Sequence, residues 1–185
     1  LSSLFILVNA TDDAAEDELF KNGGFSYVRA DIVKGLCKAD FELNATQKAF
    51  LAETAEKGIT PYIDLVDQTS KDREYPPVSE TAFAEWEQFV YRVVEQTKQY
   101  TNYYEVWNEY SLLPENATPA NYVKLLECTY RGAKRANPDC VLYGLALANT
   151  SDAIEWATEV FRLGGGAYMD GVSFHPYSNY KSPED

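Results

Sequence analysis

The sequence predicts an α/β protein of the (β/α)8 barrel type, incomplete, with six parallel strands and five helices in a single domain over 1–185. Three observations carry that expectation. Short apolar or β-branched runs alternate with segments of helical period, and such alternation means parallel strands joined by right-handed crossovers. No glycine-rich phosphate loop follows the first run, where Asn9-Ala10-Thr11-Asp12-Asp13 carries two acids, so a nucleotide-binding open sheet is disfavoured. Polar residues gather where the runs end, on the face where a barrel builds its chemistry.

The runs are LFILV (4–8), SYVRADIV (26–33), ITPYIDLV (59–66), YYEVW (103–107), VLYGLAL (141–147) and DGVSF (170–174). A short first helix is expected between Asp13 and Asn22, before Gly23-Gly24, and a second ends at Lys57-Gly58, a C-terminal glycine signal. The third has the clearest period, with Phe83, Trp86, Phe89, Val90, Val93 and Val94 on one face. Thr118-Pro119 opens the fourth, threonine as N-cap and proline at the first helical position. Its apolar stripe is Tyr122, Leu125, Leu126, Thr129 and Ala133, and Asn137-Pro138 stops it. The fifth runs from Asp152 to Leu163, before Gly164-Gly165-Gly166.

A chain of 185 residues, 45% hydrophobic and 24% charged, has the composition of one folded domain with a core. Its 16 basic and 29 acidic residues give a net charge of −13 without a basic cluster. That field repels phosphate backbones and anionic membranes, so neither nucleic acid nor membrane is an expected partner, whereas a neutral sugar is indifferent to it. No apolar run reaches membrane-helix length, and LSSLFILVNA lacks a basic flank, so it reads as a strand and not as a signal peptide. Cys37, Cys128 and Cys140 form no CxxC pair and His175 is the single histidine, which argues against a zinc site. The odd count leaves at least one free thiol or a thiol with an intermolecular partner; Cys128 and Cys140 have the option of pairing. N-x-S/T sequons at Asn9, Asn44, Asn116 and Asn149 lean slightly towards a secreted protein if the source is eukaryotic, although a loop or cap asparagine is at least as good a reading of each; the expected setting is extracellular or periplasmic.

The strand ends deliver Asn9, then Arg29 and Asp31, Asp64 and Asp67, Asn108 and Glu109, Asn149, and finally His175, Pro176 and Tyr177. One such residue means little; their convergence points to a site. Glu109 follows a strand-like run and has bulky aromatic neighbours. If they desolvate it, burial disfavours the anion, raises the pKa and suits the residue to general-acid work. The plainer reading is that it caps a loop or pairs with an arginine. Asn108 offers a donor and an acceptor to a sugar hydroxyl. Arg29 lies mid-strand, which requires a carboxylate partner if it faces inward and nothing if it faces outward. His175 and Tyr177 share a face with Ser173 and would bond substrate or orient a carboxylate, though a lone histidine also serves as a satisfied structural residue. Trp107 is expected to line the site, with Trp86 and Trp156 in the core.

The run EVWNEY, with YVRADIV before it and FHPY after it, resembles clan A glycoside hydrolases, in particular family 39-like and cellulase-like members. YYEVWNEY, ANYVKLLECTYRGAKRANPDCVLYG and YMDGVSFHPYS are similar to their fourth, fifth and sixth strand units, and the resemblance extends over essentially all 185 residues. It implies a retaining glycosidase that cleaves O-glycosidic bonds of an oligosaccharide or polysaccharide by double displacement. Glu109 would match the acid/base, Asn108 the residue on the sugar 2-hydroxyl, Arg29 the strand-two arginine, and His175 and Tyr177 the strand-six pair lining the site. No metal or organic cofactor is implied.

Two departures accompany the match. The family's nucleophile is a glutamate ending strand seven, whereas this sequence stops at Asp185; Glu184, nine residues past His175, leaves no room for a helix and a strand. Strands seven and eight are therefore expected from the rest of a longer chain or from another chain, and the 185-residue piece alone is expected to be inactive. After the second run, Val33-Lys34-Gly35 stands where many relatives carry an aromatic. The alternative is a non-catalytic carbohydrate-binding or scaffold protein derived from such a barrel. An isomerase or aldolase would want a lysine or metal cluster at the strand ends, and the sequence offers neither.

Overall fold

The computed structural model describes residues 23–24, 26–67, 74–113 and 116–177. The expected first strand (4–8), the whole of its following helix (13–22), Asn9 and Glu184 lie outside the described residues. The described residues hold five strands and four α-helices, not six and five: β1 (Tyr27–Val33), α1 (Ala45–Glu56), β2 (Thr60–Val66), α2 (Glu80–Thr97), β3 (Tyr103–Val106), α3 (Pro119–Ala136), β4 (Val141–Ala148), α4 (Ala153–Arg162) and β5 (Gly171–His175). The strands form one parallel sheet in the order β1-β2-β3-β4-β5. A doubly wound sheet reverses its order and carries helices on both faces. Here the order never reverses, and all four helices contribute to one core with the same set of strand residues.

Strand alternation divides the sheet into two faces. Ile32, Ile63, Leu65, Tyr104, Val106 and Leu142 face the helices and enter the core. Between them, Arg29, Asp31, Tyr62, Asp64, Tyr103, Glu105 and Tyr143 point the other way. The register sets Arg29 opposite Tyr62, Asp31 opposite Asp64, Asp64 opposite Glu105, and Glu105 opposite Tyr143. A row of polar side chains thus crosses four neighbouring strands.

Local signals explain the helix ends. Asn44 and Gln47 form a reciprocal capping box at α1, so this sequon asparagine is a cap. Gly58, at φ +70°, supplies the left-handed residue that ends α1. Ser79 caps α2, and Thr118 with Pro119 opens α3 as the sequence predicts. All six apolar residues read onto the face of α2 are buried. Cys37, Cys128 and Cys140 are all free thiols, which rules out a Cys128–Cys140 bridge in this structure. Lys34, at the position where an aromatic was missed, is buried; its Nζ lies 3.0 Å from Glu85 and 3.7 Å from Asp67, and 5.7 Å from the centre of the Phe41 ring. Its stem and charge fill the space in front of that ring and tie the β1 exit to α2.

Two contacts lie at the buried seam between α2 and α3. Trp86 Nε1–H donates to Thr129 Oγ1 at 2.8 Å, and both side chains are fully buried. Gly132 lets the helix backbones approach so closely that a Cβ there would lie 2.6 Å from the Glu87 carbonyl. Helix propensity alone makes Gly→Ala favourable by about 1 kcal/mol, whereas overpacking against backbone costs about 1–3 kcal/mol. We expect Gly132→Ala to lower unfolding free energy in urea, against the sign that propensity gives. Thr129→Val keeps the shape but strands the indole N–H, and should cost about 1–3 kcal/mol in the same measurement.

Candidate active site

Arg29 organises the polar face. Its side chain is 8% exposed and uses every nitrogen. Nε–H donates to Glu105 Oε2 at 2.6 Å, Nη1 to Asp31 Oδ1 at 3.0 Å, and Nη2 both to Asp64 Oδ2 and to Asn108 Oδ1 at 2.9 Å. Of the two readings of a mid-strand arginine, the paired one holds. Burial opposes the guanidinium's charge, but Asp64, Glu105 and Asp31 outweigh it and hold Arg29 above its ordinary value.

The carboxylates around it differ. Asp64 is completely buried, and its Oδ1 has no hydrogen-bond partner among the described residues. Burial pushes Asp64 well above the carboxylate range, with Arg29 pulling the other way and Glu105 adding to the rise. Burial raises Glu105, which is almost as buried, but the imidazole of His175 3.6 Å away, the charge of Arg29 and the nearby Ser173 hydroxyl outweigh desolvation and hold it below the usual range. The same guanidinium therefore faces one carboxylate that favours its ionised form and one that favours its protonated form. Asp31, half-exposed, completes the fork from β1.

Glu109 stands where β3 turns away. Trp107 and Glu109 both adopt positive φ, +66° and +48°, with Asn108 between them. For non-glycine residues this conformation costs on the order of 1–3 kcal/mol each and persists where surrounding contacts enforce it. Those contacts are visible: Trp107 N–H donates to Leu65 O at 2.9 Å, and Tyr122 Oη–H donates to Val106 O at 3.0 Å. Tyr122 Oη also accepts from Leu145 N at 2.7 Å, where β4 bulges with positive φ at Leu145 and Ala146. One phenol thus secures the exit of β3 and the bulge of β4.

The kink sends the aromatics inward and the carboxylate outward, which corrects two expectations. Trp107 does not line the site: it is fully buried, with the rings of Trp86, Tyr75 and Tyr110 5.1 to 5.6 Å away. Nor do these rings enclose Glu109, whose side chain remains 23% exposed. Trp86 is core as expected, and Trp156 packs partly buried against Tyr122.

The partner of Glu109 is His175 at the end of β5. His175 Nδ1 lies 2.9 Å from Glu109 Oε1, and its Nε2 lies 3.6 Å from Glu105 Oε1. Glu105 first and Glu109 second hold the imidazole above its ordinary value, against partial desolvation and the charge of Arg29. Ser173, one step down the same face, accepts from Ala146 N at 3.1 Å. Tyr177 is 67% exposed; its ring centre is 6.1 Å from that of His175, and its carbonyl accepts from Asn149.

A cavity of about 700 Å³ opens over this face, lined by Arg29, Glu105, His175 and Tyr177 together with tyrosines that include Tyr62 and Tyr143. Asn108 and Glu109 stand beside it, tied to its lining through Arg29 and His175. The structure therefore brings together Arg29, Asn108, Glu109 and His175, with Tyr177 at the edge. Asp67 goes instead to Lys34. Glu105, which sequence reasoning passed over, sits at the centre. The signal was present: an acid in the middle of YYEVW needs a buried partner for the same reason as an arginine in the middle of YVRADIV.

No family model and no curated protein sequence matches this chain. Solved structures do. A family 39 glycoside hydrolase from the gut symbiont Bacteroides cellulosilyticus WH2 is 23% identical with a TM-score of 0.79, over 97% of this chain and 39% of that one. A family 39 β-xylosidase from Caulobacter crescentus is 23% identical with a TM-score of 0.67, over 89% of this chain and 42% of that one. A GH5-4 broad specificity endoglucanase from an uncultured bovine rumen ciliate follows at 13% identity and a TM-score of 0.58, over 96% and 53%. The chain spans about two fifths of the length of the first two. Over that span it has the fold of the family 39 glycoside hydrolases.

Proposed function

We propose that this chain is part of a retaining glycoside hydrolase acting on an oligosaccharide or polysaccharide, and that Glu109 is its acid/base. The observation that carries the reading is the placement of Glu109: a partly exposed carboxylate at a strand end, held 2.9 Å from His175 Nδ1 and adjoining an asparagine fixed by a buried arginine. The five described strands would be consecutive strands of a (β/α)8 barrel, whose C-terminal rim then carries Asn108, Glu109, His175 and Tyr177. Likeness to glycosidase structures supports the class.

The chemistry follows from the groups present. Asn108 Oδ1 is occupied by Arg29, which leaves its NH2 to donate to a sugar hydroxyl next to the scissile bond. Glu109 protonates the departing glycosidic oxygen in the first step and takes a proton from water in the second. The nucleophile in this reading is a glutamate on a later strand. Glu105 is a poor candidate for that role, since its carboxylate is buried, bonded to Arg29 and approached by His175 and Tyr62. Tyr177, exposed beside the cavity, would contact the sugar, and an extracellular or periplasmic setting suits a polymeric substrate.

In the full-length protein, Glu109→Gln should lower turnover of unactivated oligosaccharides by about 10²–10⁴-fold. Aryl glycosides with good leaving groups need little protonation and should lose much less in the glycosylation step. Unchanged turnover on the unactivated substrates would contradict the assignment. Oligosaccharide binding by calorimetry with no hydrolysis of either class would favour the non-catalytic alternative.

A further inference from the structure

Glu105 has no task in the reaction as written, yet it is the most heavily engaged carboxylate on the polar face. It is 2% exposed, bonded to Arg29 Nε at 2.6 Å, 3.4 Å from Tyr62 Oη, and 3.6 Å from His175 Nε2. The imidazole therefore stands between two carboxylates, Glu105 at Nε2 and Glu109 at Nδ1. Among the described residues, the other charged group facing it is Arg29 on β1, which also bonds Asp31 and Asp64; the Tyr177 ring flanks the imidazole. From these positions we propose that Glu105 is a positioning residue that fixes the Nε2–H tautomer of His175, so that His175 and Glu109 hold a single proton between Nδ1 and Oε1.

Glu105 is locked in its ionised form by the guanidinium and is acceptor-only. Its charge, 3.6 Å from Nε2, favours a hydrogen on that nitrogen over a bare lone pair. A neutral ring then presents the Nδ1 lone pair to Glu109, and that contact is a hydrogen bond only when Glu109 is protonated at Oε1. If the ring binds a second proton, Nδ1–H donates to the Glu109 carboxylate instead. In both arrangements one proton occupies the 2.9 Å gap, and moving it across converts one form into the other. When Glu109 releases its proton to a leaving group it becomes a carboxylate and His175 stays neutral with Nε2–H in place. Remove Glu105 and the ring is free to put its hydrogen on Nδ1, where it would donate to ionised Glu109 and disfavour the acid form. The catalytic consequence rests on reading Glu109 as the acid/base; the proton arrangement does not.

The test reads His175 directly. In full-length protein labelled with 15N-histidine, the His175 signals are identified by their loss in His175→Gln and followed against pH. The wild type should show the Nε2–H tautomer when neutral, with a midpoint above the ordinary value of about 6.5. A raised folded value means that ring protonation stabilises the fold below the unfolded pKa, and that this contribution is lost as pH rises through the folded one. Glu105→Gln should move the midpoint down, and Glu105→Ala should also abolish the tautomer preference. Glu109→Gln should lower the midpoint and leave Nε2–H in place. An Nδ1–H tautomer in the wild type, or one midpoint shared by wild type and Glu105→Gln, would overturn the proposal. If the Glu105 variants do not fold, an Nδ1–H tautomer in the wild type still overturns the proposal. No step of the measurement uses substrate, so its failure is separable from failure of the glycosidase reading.

Discussion

A buried guanidinium is the constraint on which the polar face depends. Arg29 sits mid-strand at 8% exposure, where an unpaired charge would be costly, and it is tolerated because four oxygens from three strands and the loop after β3 converge on it. The convergence works in both directions. Without Arg29, Glu105 and Asp64 would face each other across adjacent strands in register, two buried acids with no cation between them. With it, one acid stays ionised, the other favours its proton, and Asn108 is held in one orientation.

The rest of the structure serves to deliver groups to that cation and to the histidine beyond it. The β3 strand ends in two left-handed residues that turn Trp107 into the core and Glu109 out of it. Trp107, Trp86 and Tyr110 then form the packed base beneath Asn108 and Glu109, and the Trp86–Thr129 bond and the close approach at Gly132 hold that base between α2 and α3. Tyr122 reaches up from α3 to bond the exit of β3 and the bulge of β4, and that bulge also bonds Ser173 on β5. The separation of His175 from Glu109 is thus set by packing several residues away from either.

Much of this was legible in the sequence. The β/α alternation, the Thr118-Pro119 start and the α2 stripe are local signals with local physical causes, and the structure follows them. Arg29, Asn108, Glu109 and His175 were legible as strand-end or mid-strand polar residues that would need one another. Trp107 was not. Its neighbours Asn108 and Glu109 suggested a rim residue, and only the positive φ values, at residues with no glycine to announce them, reverse its direction. Glu105 was readable by the argument already applied to Arg29, but its role emerges only once strand register puts it between Arg29 and His175.

The polar face has one requirement above the others, that Arg29 hold two buried carboxylates and an asparagine together. Its most direct test is the unfolding free energy of Arg29→Met at neutral pH, set beside the double variant Arg29→Met/Glu105→Gln. Breaking a buried ion pair on one side costs about 3–5 kcal/mol, and the second substitution should return part of that loss by removing the stranded charge. A single variant within about 0.5 kcal/mol of the wild type, or a double variant that loses the full sum of its parts, would contradict it.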